Sequence, residues 1–323
     1  MYLLTGAAGF IGSALLAYLN EQDIADVILV DDFTNYPDKL PNLEGKKYLR
    51  KVERNHLFAA WDAEKWPLKG VYHLGARTDT AEPSKALFDR LNLNYTKEVW
   101  RRCTEQQIPL IYASSGATYG LGEHGYVDDD SLAEKLVPLN EYGRSKNDFD
   151  RWVLTQEERP PQYYGLKFFN VYGPNEFHKG RMASVIWHTF RQVTATGAMK
   201  LFRSHNPEYA DGHQRRDFIY VKDLCAVNYW LMTKLPQPSG LYNLGTGQSR
   251  TFLDLATATF AAMDQEPKIS FIDTPIDIRV KDQYFTEADM AKLRRAGYDQ
   301  PFATLEEGVN DYVKNYLIPH RYW

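Results

Sequence analysis

Cysteine is scarce in this sequence: two residues, Cys103 and Cys225, lie far apart among 323 positions. Their separation matches neither the spacing of a zinc site nor the density of a disulfide-linked secreted domain. An apolar run of the roughly 18 residues that a membrane span needs is also missing. A strand-like segment begins at Tyr2 and leads directly into a glycine loop, which leaves no room for a signal peptide. We therefore expect a cytoplasmic globular protein with no metal site and no membrane partner.

Charge of one sign is also limited. The chain has 38 Lys and Arg against 42 Asp and Glu, a formal net charge of −4. A general nucleic-acid binder needs a strongly basic surface, so nucleic acid is not an expected partner. Aromatic residues make up 14% of the chain, which is too many for a disordered protein. We interpret one basic cluster as a solvated helix face; its members are Lys46, Lys47, Arg50, Lys51 and Arg54.

The first half of the sequence alternates short apolar runs with helical patterns. This alternation is typical of βαβ units and predicts an α/β fold, a Rossmann-type doubly wound parallel sheet. Beyond residue 173 the regularity fades. We predict a dinucleotide-binding domain over residues 1–172 and a smaller α/β substrate-binding domain over 173–323, with segments that can cross between them. The apolar runs are residues 2–4, 27–30, 71–74, 110–113 and 166–170, and the helical patterns cover about 11–20 and 85–106.

Gly6, Gly9 and Gly12 follow the first predicted strand and open the first predicted helix. Glycine there permits a tight turn and a close approach of the backbone to a pyrophosphate, which the helix N–H groups hold. Asp31 ends the next predicted strand. Its separation in sequence from the glycine loop is typical of a carboxylate that accepts hydrogen bonds from the ribose hydroxyls. The two features together predict dinucleotide binding rather than an ordinary strand-to-helix turn.

A second set of residues has the pattern of a proton-transfer site. Ser115 ends a predicted strand, and Tyr142 and Lys146 are four residues apart, so they share one face of a helix. A neighbouring ammonium and an oxidised nicotinamide favour the phenolate and lower the pKa of a tyrosine. The phenolate then takes a proton from a substrate hydroxyl while Ser115 orients the same oxygen. Tyr163 and Lys167 have the same spacing, but they lie in a predicted strand. Residues four apart in a strand are not neighbours, so this pair is not expected to act together.

These motifs, with residues 170–174, 216–223 and 243–247, resemble the extended short-chain dehydrogenase/reductase family of nucleotide-sugar enzymes. The resemblance covers nearly the whole chain. Within that family, residues 113–120, 177–184 and 296–299 are most similar to the members that act on C6 of an ADP-bound heptose. The resemblance therefore implies an isomerase that inverts C6 by transient oxidation with bound NADP, in lipopolysaccharide inner-core precursor synthesis. It also suggests a homo-oligomer of five subunits.

The resemblance further implies a role for individual residues. The implied catalytic residues are Ser115, Tyr142, Lys146 and, for the second face of C6, Lys179. The implied cofactor-binding residues are Gly6, Gly9, Phe10, Ile11, Gly12, Asp31, Asp32, Lys39, Arg54, Leu74, Gly75, Ala76, Arg77, Thr78, Asn92, Tyr142, Lys146, Val171 and Lys179. The implied substrate-binding residues are Ser115, Asn170, Lys179, Arg181, His188, Phe202, Arg203, Ser204, His205, Arg216 and Asp282.

The identity of the cofactor depends on the charges beside Asp31. Lys39 and Arg54 offer cations to the 2′-phosphate of NADP. Asp32 would repel that phosphate, so NAD is the alternative cofactor.

The sequence is also compatible with other functions. A 4-epimerase or a reductase of the same family has the same nucleotide and proton-transfer motifs. A 4,6-dehydratase needs an acid and a base beside Ser115, and Gly116 and Ala117 supply neither. A non-catalytic dinucleotide-sensing regulator is the alternative from a different class, and it would have no need to retain Ser115, Tyr142 and Lys146.

Overall fold

The computed structural model describes residues 1–234, 237–279 and 283–323. Its strands, numbered in chain order, are β1 (Tyr2–Thr5), β2 (Val27–Asp31), β3 (Arg50–Glu53), β4 (Gly70–His73), β5 (Leu110–Ser115), β6 (Tyr163–Phe168), β7 (Asn170–Tyr172), β8 (Met199–Phe202), β9 (Arg215–Tyr220), β10 (Gly240–Leu244), β11 (Ser249–Thr251) and β12 (Ile269–Ile272). Its α-helices are α1 (Phe10–Glu21), α2 (Leu57–Glu64), α3 (Lys85–Phe88), α4 (Tyr95–Glu105), α5 (Glu141–Leu154), α6 (Val185–Thr196), α7 (Val221–Thr233), α8 (Phe252–Ala262), α9 (Ile276–Arg279), α10 (Ala291–Arg295) and α11 (Leu305–Tyr312). Among these residues, no helix combines the length and the apolar character that a membrane span requires.

Within the described residues, seven strands form a central sheet in the order β10-β6-β5-β4-β1-β2-β3. Every neighbouring pair in this sheet is parallel. The chain runs outward from β1 in one direction through β2 and β3, and in the other through β4 and β5. This arrangement confirms the predicted Rossmann-type doubly wound sheet, and it places the switch point between β1 and β4.

Helices cover both faces of the central sheet. Successive side chains of a strand point to opposite faces, and β1 shows the consequence. Leu3 belongs to a core that also contains Val99 of α4 and Phe149 of α5. Leu4 belongs to the other core, with Leu15 of α1. Each such fully buried side chain contributes about 2 kcal/mol, so both helical layers hold the sheet in place.

The second half of the chain adds smaller sheets and also returns to the central one. β9 pairs with β7 on one side and β11 on the other, and β8 pairs with β12. β10 joins the edge of the central sheet beside β6, and α7 packs on α1. Segments beyond residue 173 therefore complete the nucleotide half, and the domain boundary itself stays a prediction.

The predicted helix face in the basic cluster is wrong. Residues 50–53 form β3, an edge strand that pairs with β2, and Arg54 follows it in a short 3₁₀ turn. Lysine and arginine on an edge strand discourage pairing with other chains, which explains the local concentration of positive charge.

Candidate active site

The residues predicted to carry chemistry collect at the carboxyl ends of the central strands. Gly6 follows β1, Asp31 ends β2, Gly75 follows β4 and Ser115 ends β5. Ligands of open α/β sheets bind outside this edge, at the point where the strand order reverses. Across the described residues, no group of three His, Cys, Asp or Glu side chains could hold a metal ion.

The glycine loop between β1 and α1 is tightly packed on one side and open on the other. A Cβ on Gly6 would lie 2.7 Å from Gly75 Cα, and one on Gly12 would lie 2.1 Å from Gly6 O. A Cβ on Gly9 would meet only one atom within 4 Å, Gly6 O at 3.2 Å. Gly9 also begins α1 without a side-chain cap, so the first-turn N–H groups suit a bound anion. The loop fits a dinucleotide pyrophosphate.

Asp31 braces the glycine loop from the neighbouring strand. Its Oδ2 accepts a hydrogen bond from Ala8 N at 2.9 Å, and its Oδ1 accepts one from Asp32 N at 2.8 Å. The Lys39 ammonium lies 3.6 Å from Oδ1. Each carboxylate oxygen can accept two hydrogen bonds, so Asp31 keeps capacity for ribose hydroxyls.

Asp32 and Arg54 form an ion pair beside Asp31. Arg54 Nη2 lies 2.8 Å from Asp32 Oδ2, and the Asp32 side chain is only 8% exposed. Arg54 Nε is buried and makes no hydrogen bond to the described part of the chain. The expected repulsion of a 2′-phosphate by Asp32 is therefore offset by the Arg54 guanidinium.

Asn92 fastens the loop after β4 to α5. Its Oδ1 accepts a hydrogen bond from Arg77 N at 2.8 Å, and its Nδ2 donates to Arg77 O at 3.0 Å and to Ser145 Oγ at 2.9 Å. Asn92 lies in the π-helical turn Asp89–Asn94, which interrupts the helix predicted over about 85–106. Such turns are frequent at functional sites. Direct cofactor contact stays a prediction for Asn92 and for the loop residues Leu74, Gly75, Ala76, Arg77 and Thr78.

A buried histidine that sequence reasoning did not single out links two of these segments. Gly75 N donates to Thr5 Oγ1 at 3.0 Å, and Thr5 Oγ1 lies 2.7 Å from His73 Nδ1. On the other side, His73 Nε2 lies 2.9 Å from Thr96 Oγ1, which donates to Asn92 O. Thr96 must then accept from Nε2–H, which makes Nδ1 the acceptor. Burial lowers the pKa of His73 to about 3, so the ring stays neutral.

Ser115, Tyr142 and Lys146 meet at the end of β5. Asn140 caps α5 with its side chain, and Tyr142 and Lys146 follow one turn apart on the same face. Lys146 is 6% exposed, and its Nζ donates to Ala113 O at 2.7 Å. Burial lowers the pKa of Lys146 to about 8.

The phenol of Tyr142 is shielded by the protein and lies near Ser115. Burial raises the pKa of Tyr142, and the neighbouring Ser115 side chain opposes that rise. The net direction is upward, opposite to the lowering expected from Lys146. The reason is that desolvation of the phenolate outweighs the other contributions when only protein groups are present.

A buried charge network lies behind these residues. Asp150 is fully buried on α5, one turn beyond Lys146, and it accepts hydrogen bonds from Tyr112 Oη at 3.0 Å and Ser114 Oγ at 2.6 Å. Lys167 Nζ lies 2.9 Å from the same carboxylate. Lys167, the strand lysine set aside as a proton-transfer partner, therefore serves as a buried counter-ion.

Lys179 reaches the glycine loop from a separate segment. Its Nζ lies 4.9 Å from the centroid of the Phe10 ring, at the start of α1. Burial lowers the pKa of Lys179, and the nearby Glu176 carboxylate opposes that shift. The structure thus brings Lys179 to the cofactor end of the site, as the assignment requires.

Asn42 and His178 connect the Lys179 loop to the glycine loop. Asn42 is 1% exposed, and its Nδ2 donates to Ala8 O at 2.9 Å. The same Nδ2 lies 3.2 Å from His178 Nδ1. Sequence reasoning missed both residues, because nothing in the spacing of residues 42 and 178 indicates that they meet.

Two motifs of the second half meet at Asp217. Its carboxylate accepts hydrogen bonds from Thr246 N at 2.7 Å and from Gly247 N at 2.9 Å. A Cβ on Gly245 would lie 2.6 Å from Asp217 Oδ2. These motifs therefore build the scaffold, and Arg216 beside Asp217 is the member predicted to bind substrate. Arg216 is 7% exposed and lies 5.4 Å from the Phe252 ring centroid.

The other predicted substrate residues lie on separate elements. His188 Nε2 lies 3.3 Å from Arg181 O, beside an open cavity of about 470 Å³ that extends along α6 as far as Thr196. Phe202 ends β8 and residues 203–205 follow it, and His205 Nε2 accepts a hydrogen bond from Thr274 N at 3.3 Å. Asn170 and Val171 begin β7, and Ile11 is half-buried in α1. Asp282 lies outside the described residues.

Comparison with known proteins gives relatives for the whole chain. The chain is 44% identical over 327 residues to ADP-L-glycero-D-manno-heptose-6-epimerase of Fusobacterium nucleatum, covering 98% of each chain. It is 46% identical to the protein of the same name from Nitratidesulfovibrio vulgaris strain Hildenborough, covering 99% of this chain and all of the relative.

Solved structures agree with the fold. The crystal structure of ADP-L-glycero-D-manno-heptose-6-epimerase from Helicobacter pylori has a TM-score of 0.80 at 28% identity, covering 99% of this chain and 95% of the other. The sequence model of the NAD dependent epimerase/dehydratase family matches residues 2–245. The chain therefore belongs to the NAD dependent epimerase/dehydratase family.

Proposed function

We propose that this protein is an isomerase that inverts C6 of the heptose in ADP-D-glycero-D-manno-heptose to the L-glycero form. This reaction supplies a precursor of the lipopolysaccharide inner core. The proposal is supported by the position of two sets of candidate proton-transfer residues at the same sheet edge: Ser115, Tyr142 and Lys146 from β5 and α5, and Lys179 beside the glycine loop. The names of the relatives at 44% and 46% identity support the choice of substrate.

Tyr142 is the proposed proton-transfer group for one face of C6. When hydride leaves C6, the C6 hydroxyl must give up its proton, and the phenol oxygen takes it. Ser115 holds the same substrate oxygen by a hydrogen bond. The Lys146 ammonium, fixed by its bond to Ala113 O, favours the phenolate form of Tyr142.

Lys179 is the proposed proton-transfer group for the opposite face. After the resulting C6 ketone turns over in the site, hydride returns to its other face and the oxygen needs a proton. The Lys179 ammonium donates that proton, and the lowering of its pKa by burial makes it a stronger acid. A site with Tyr142 alone would return the proton only from the side where it was taken.

The family description indicates a nicotinamide dinucleotide as the cofactor. The open side of the glycine loop, the acceptor capacity of Asp31 and the loop after β4 fit this group. When bound, it accepts hydride from C6 and returns it. The chain holds the site rigid through the Asp31 contact to Ala8 N and the Asn92 contacts to the Arg77 backbone.

We place NADP ahead of NAD. Lys39 and Arg54 lie beside Asp31, where the adenosine ribose is expected, and the Arg54 side chain is 29% exposed. A 2′-phosphate can accept a charge-assisted hydrogen bond from the exposed part of that guanidinium. The 2′-hydroxyl of NAD gains less from the same cation.

The substrate end of the site is proposed from charge and position. Arg216 offers the forked guanidinium that suits a pyrophosphate, and residues 181, 188 and 202–205 are proposed to hold the ADP-heptose. We also propose a cytoplasmic homo-oligomer. Size-exclusion chromatography with light scattering tests the oligomer, and a mass matching one chain would contradict it.

The decisive experiment for the proposed function is incubation of the purified protein with ADP-D-glycero-D-manno-heptose without added cofactor. Chromatographic separation of the C6 epimers should show conversion to the L-glycero form. Absence of conversion, even with NADP and NAD supplied, would refute the heptose assignment. A panel of UDP- and GDP-linked sugars would then test the 4-epimerase and reductase alternatives.

A further inference from the structure

Residues 320–323, which we name the aromatic clasp, pack against the loop that carries Lys179. The Phe177 ring lies in that loop, two residues before Lys179. Its centroid is 4.8 Å from that of His320 and 5.1 Å from that of Tyr322, the second pair edge to face. Aromatic pairs at such distances contribute beyond the area that they bury. The clasp therefore restrains the middle of the Lys179 loop.

A second contact restrains the beginning of the same loop. Asn175 is fully buried and has a φ of +77°, in the left-handed region. Trp323 N donates to Asn175 Oδ1 at 2.8 Å, and Asn175 Nδ2 donates to Trp323 O at 3.3 Å and to Ser13 Oγ at 3.1 Å. Ser13 belongs to α1, whose first residue Phe10 lies under the Lys179 ammonium. Asn175 thus ties the loop to the clasp and to the helix that Lys179 faces.

Trp323 is itself anchored on α1 rather than on another loop. Its Nε1 donates to Glu21 Oε1 at 2.7 Å, and its ring packs edge to face on Tyr18 with centroids 6.4 Å apart. The Lys222 ammonium lies 5.3 Å from the Trp323 ring centroid. These contacts give the clasp a fixed base on a helix that is packed in the core.

We infer that the aromatic clasp positions Lys179 for proton transfer by fixing the loop through Asn175 and Phe177. This inference rests on the proposed function of Lys179. The other anchors of the loop are the Glu176 carboxylate, which accepts two hydrogen bonds from Ser184, and the contact of His178 with Asn42. The charged or titratable loop neighbours of Lys179 include Glu176, His178 and Arg181, and Lys39, Asp38 and Asp31 lie close to His178.

The test compares three variants outside the proposed catalytic and binding residues. Trp323→Ala removes the ring and the anchor on Glu21. Trp323→Phe keeps an aromatic ring against Tyr18 and loses the indole N–H. Ile318→Ala is the matched control, because Ile318 is 58% exposed in the same terminal segment.

We expect Trp323→Ala to lower kcat about 10- to 100-fold, since a misplacement of about 1 Å costs on the order of 100-fold. The KM for the ADP-sugar and the affinity for NADP should stay within about twofold. Trp323→Phe should recover most of kcat, and Ile318→Ala should match the wild-type protein. Hydrogen exchange at the amides of residues 176–182 should be faster in Trp323→Ala alone.

The pH profile separates positioning from general destabilisation. Lys179 acts as a proton donor, so kcat falls as pH rises through its pKa, which burial lowers. A loosened loop lets water reach the ammonium, which moves that pKa and the falling limb to higher pH. A purely structural clasp would reduce the active fraction without moving the limb.

Two results would overturn the inference. One is unchanged kcat and unchanged amide exchange in Trp323→Ala. The other is a parallel loss of kcat, substrate affinity and NADP affinity with an unmoved pH limb. Failure of the proposed function itself is distinguishable, because the wild-type protein and Ile318→Ala would then be inactive on the ADP-heptose.

Discussion

The two ends of the active site are built differently. At the nucleotide end, Lys146 is 6% exposed on a helix packed in the core, and Asp31 is 8% exposed at the end of a strand. At the substrate end, Phe202 is 43% exposed, and it ends a strand of a two-stranded sheet. In the proposed function, the first region positions groups for proton transfer, and the second presents a surface on which a sugar nucleotide can lie.

The difference shows where precision is needed. Proton transfer requires a donor and an acceptor within hydrogen-bond reach, so the groups that perform it are fixed by buried contacts such as Lys146 to Ala113 O. Recognition of a large substrate spreads over many weak contacts, so some of them can be exposed, as Phe202 is, while Arg216 is buried. Variants at the nucleotide end should therefore change kcat or cofactor affinity, and variants at the substrate end should change KM.

The largest expected effect is that of Tyr142→Phe. Loss of the phenol oxygen removes one proton-transfer group and should lower kcat about 1,000-fold. The affinity for NADP should change little, because the ring remains. Measurement of both epimer formation and NADP binding checks this split. Retention of more than a tenth of wild-type kcat would show that another group transfers the proton.

The next effect is that of Asp150→Asn, which breaks the buried pair with Lys167. Removing one partner of such a pair should cost about 3 to 5 kcal/mol of unfolding free energy. Asp148→Asn on the same helix is the matched control, because Asp148 lies 3.9 Å from Arg151 at the surface. Urea denaturation of the two variants measures the difference, and equal midpoints would contradict the account.

The charge of Asp150 should also affect how kcat depends on pH. The pKa of Lys146 is lowered to about 8 by burial, and the charge of Asp150 opposes the shift. The ammonium is therefore present below pH 8 and lost above it, so kcat should fall as pH rises through 8. Asp150→Asn removes the opposing charge and should move this limb to lower pH. A limb that stays in place would show that Lys146 does not set it, and would leave the Lys179 ammonium as the group whose deprotonation lowers kcat.

A smaller effect is expected for Arg54→Ala at the cofactor. Loss of a charge-assisted hydrogen bond of about 1.5 kcal/mol should weaken NADP binding about tenfold. NAD binding should change less. Arg50→Ala, which removes a surface pair with Glu64, is the control. Titration of cofactor fluorescence gives both affinities, and an equal loss for NADP and NAD would contradict the 2′-phosphate contact.

The smallest effect is expected at the substrate end. Phe202→Ala should raise KM about fivefold and leave kcat unchanged, since a half-covered phenyl ring contributes about 1 kcal/mol. Leu49→Ala, at an exposed apolar residue of the nucleotide half, should change neither constant. Steady-state kinetics measures both. A fall in kcat for Phe202→Ala would remove the distinction between the two ends.

The nucleotide end is predictable from sequence because its function requires local spacing. Gly6, Gly9 and Gly12 lie in one turn, and Tyr142 and Lys146 lie one helical turn apart, so neighbouring residues carry the signal. The negative charge of Asp32 is evident from the sequence. Its ion pair with Arg54, 22 residues further along the chain, is not. The direction of the Tyr142 pKa shift was also missed, because burial is a property of the fold.

Contacts between distant segments were not predictable in the same way. His73, Asn42 and Trp323 serve the site through partners that no local pattern brings together. The basic residues 50–54 were assigned to a helix, because charge alone does not distinguish a solvated helix face from an edge strand. The pairing of β3 with β2 shows that residues 50–53 form an edge strand of the sheet and not a helix.

Transient oxidation at C6 with return of the same hydrogen is the central claim, and isotope labelling tests it most directly. Substrate carrying deuterium at C6 is converted in ordinary water, and the product is analysed by mass spectrometry and NMR. The account predicts inversion at C6 with the deuterium retained there. Replacement of the deuterium by hydrogen from water would contradict the account, since the inverted centre would then have exchanged its hydrogen with solvent.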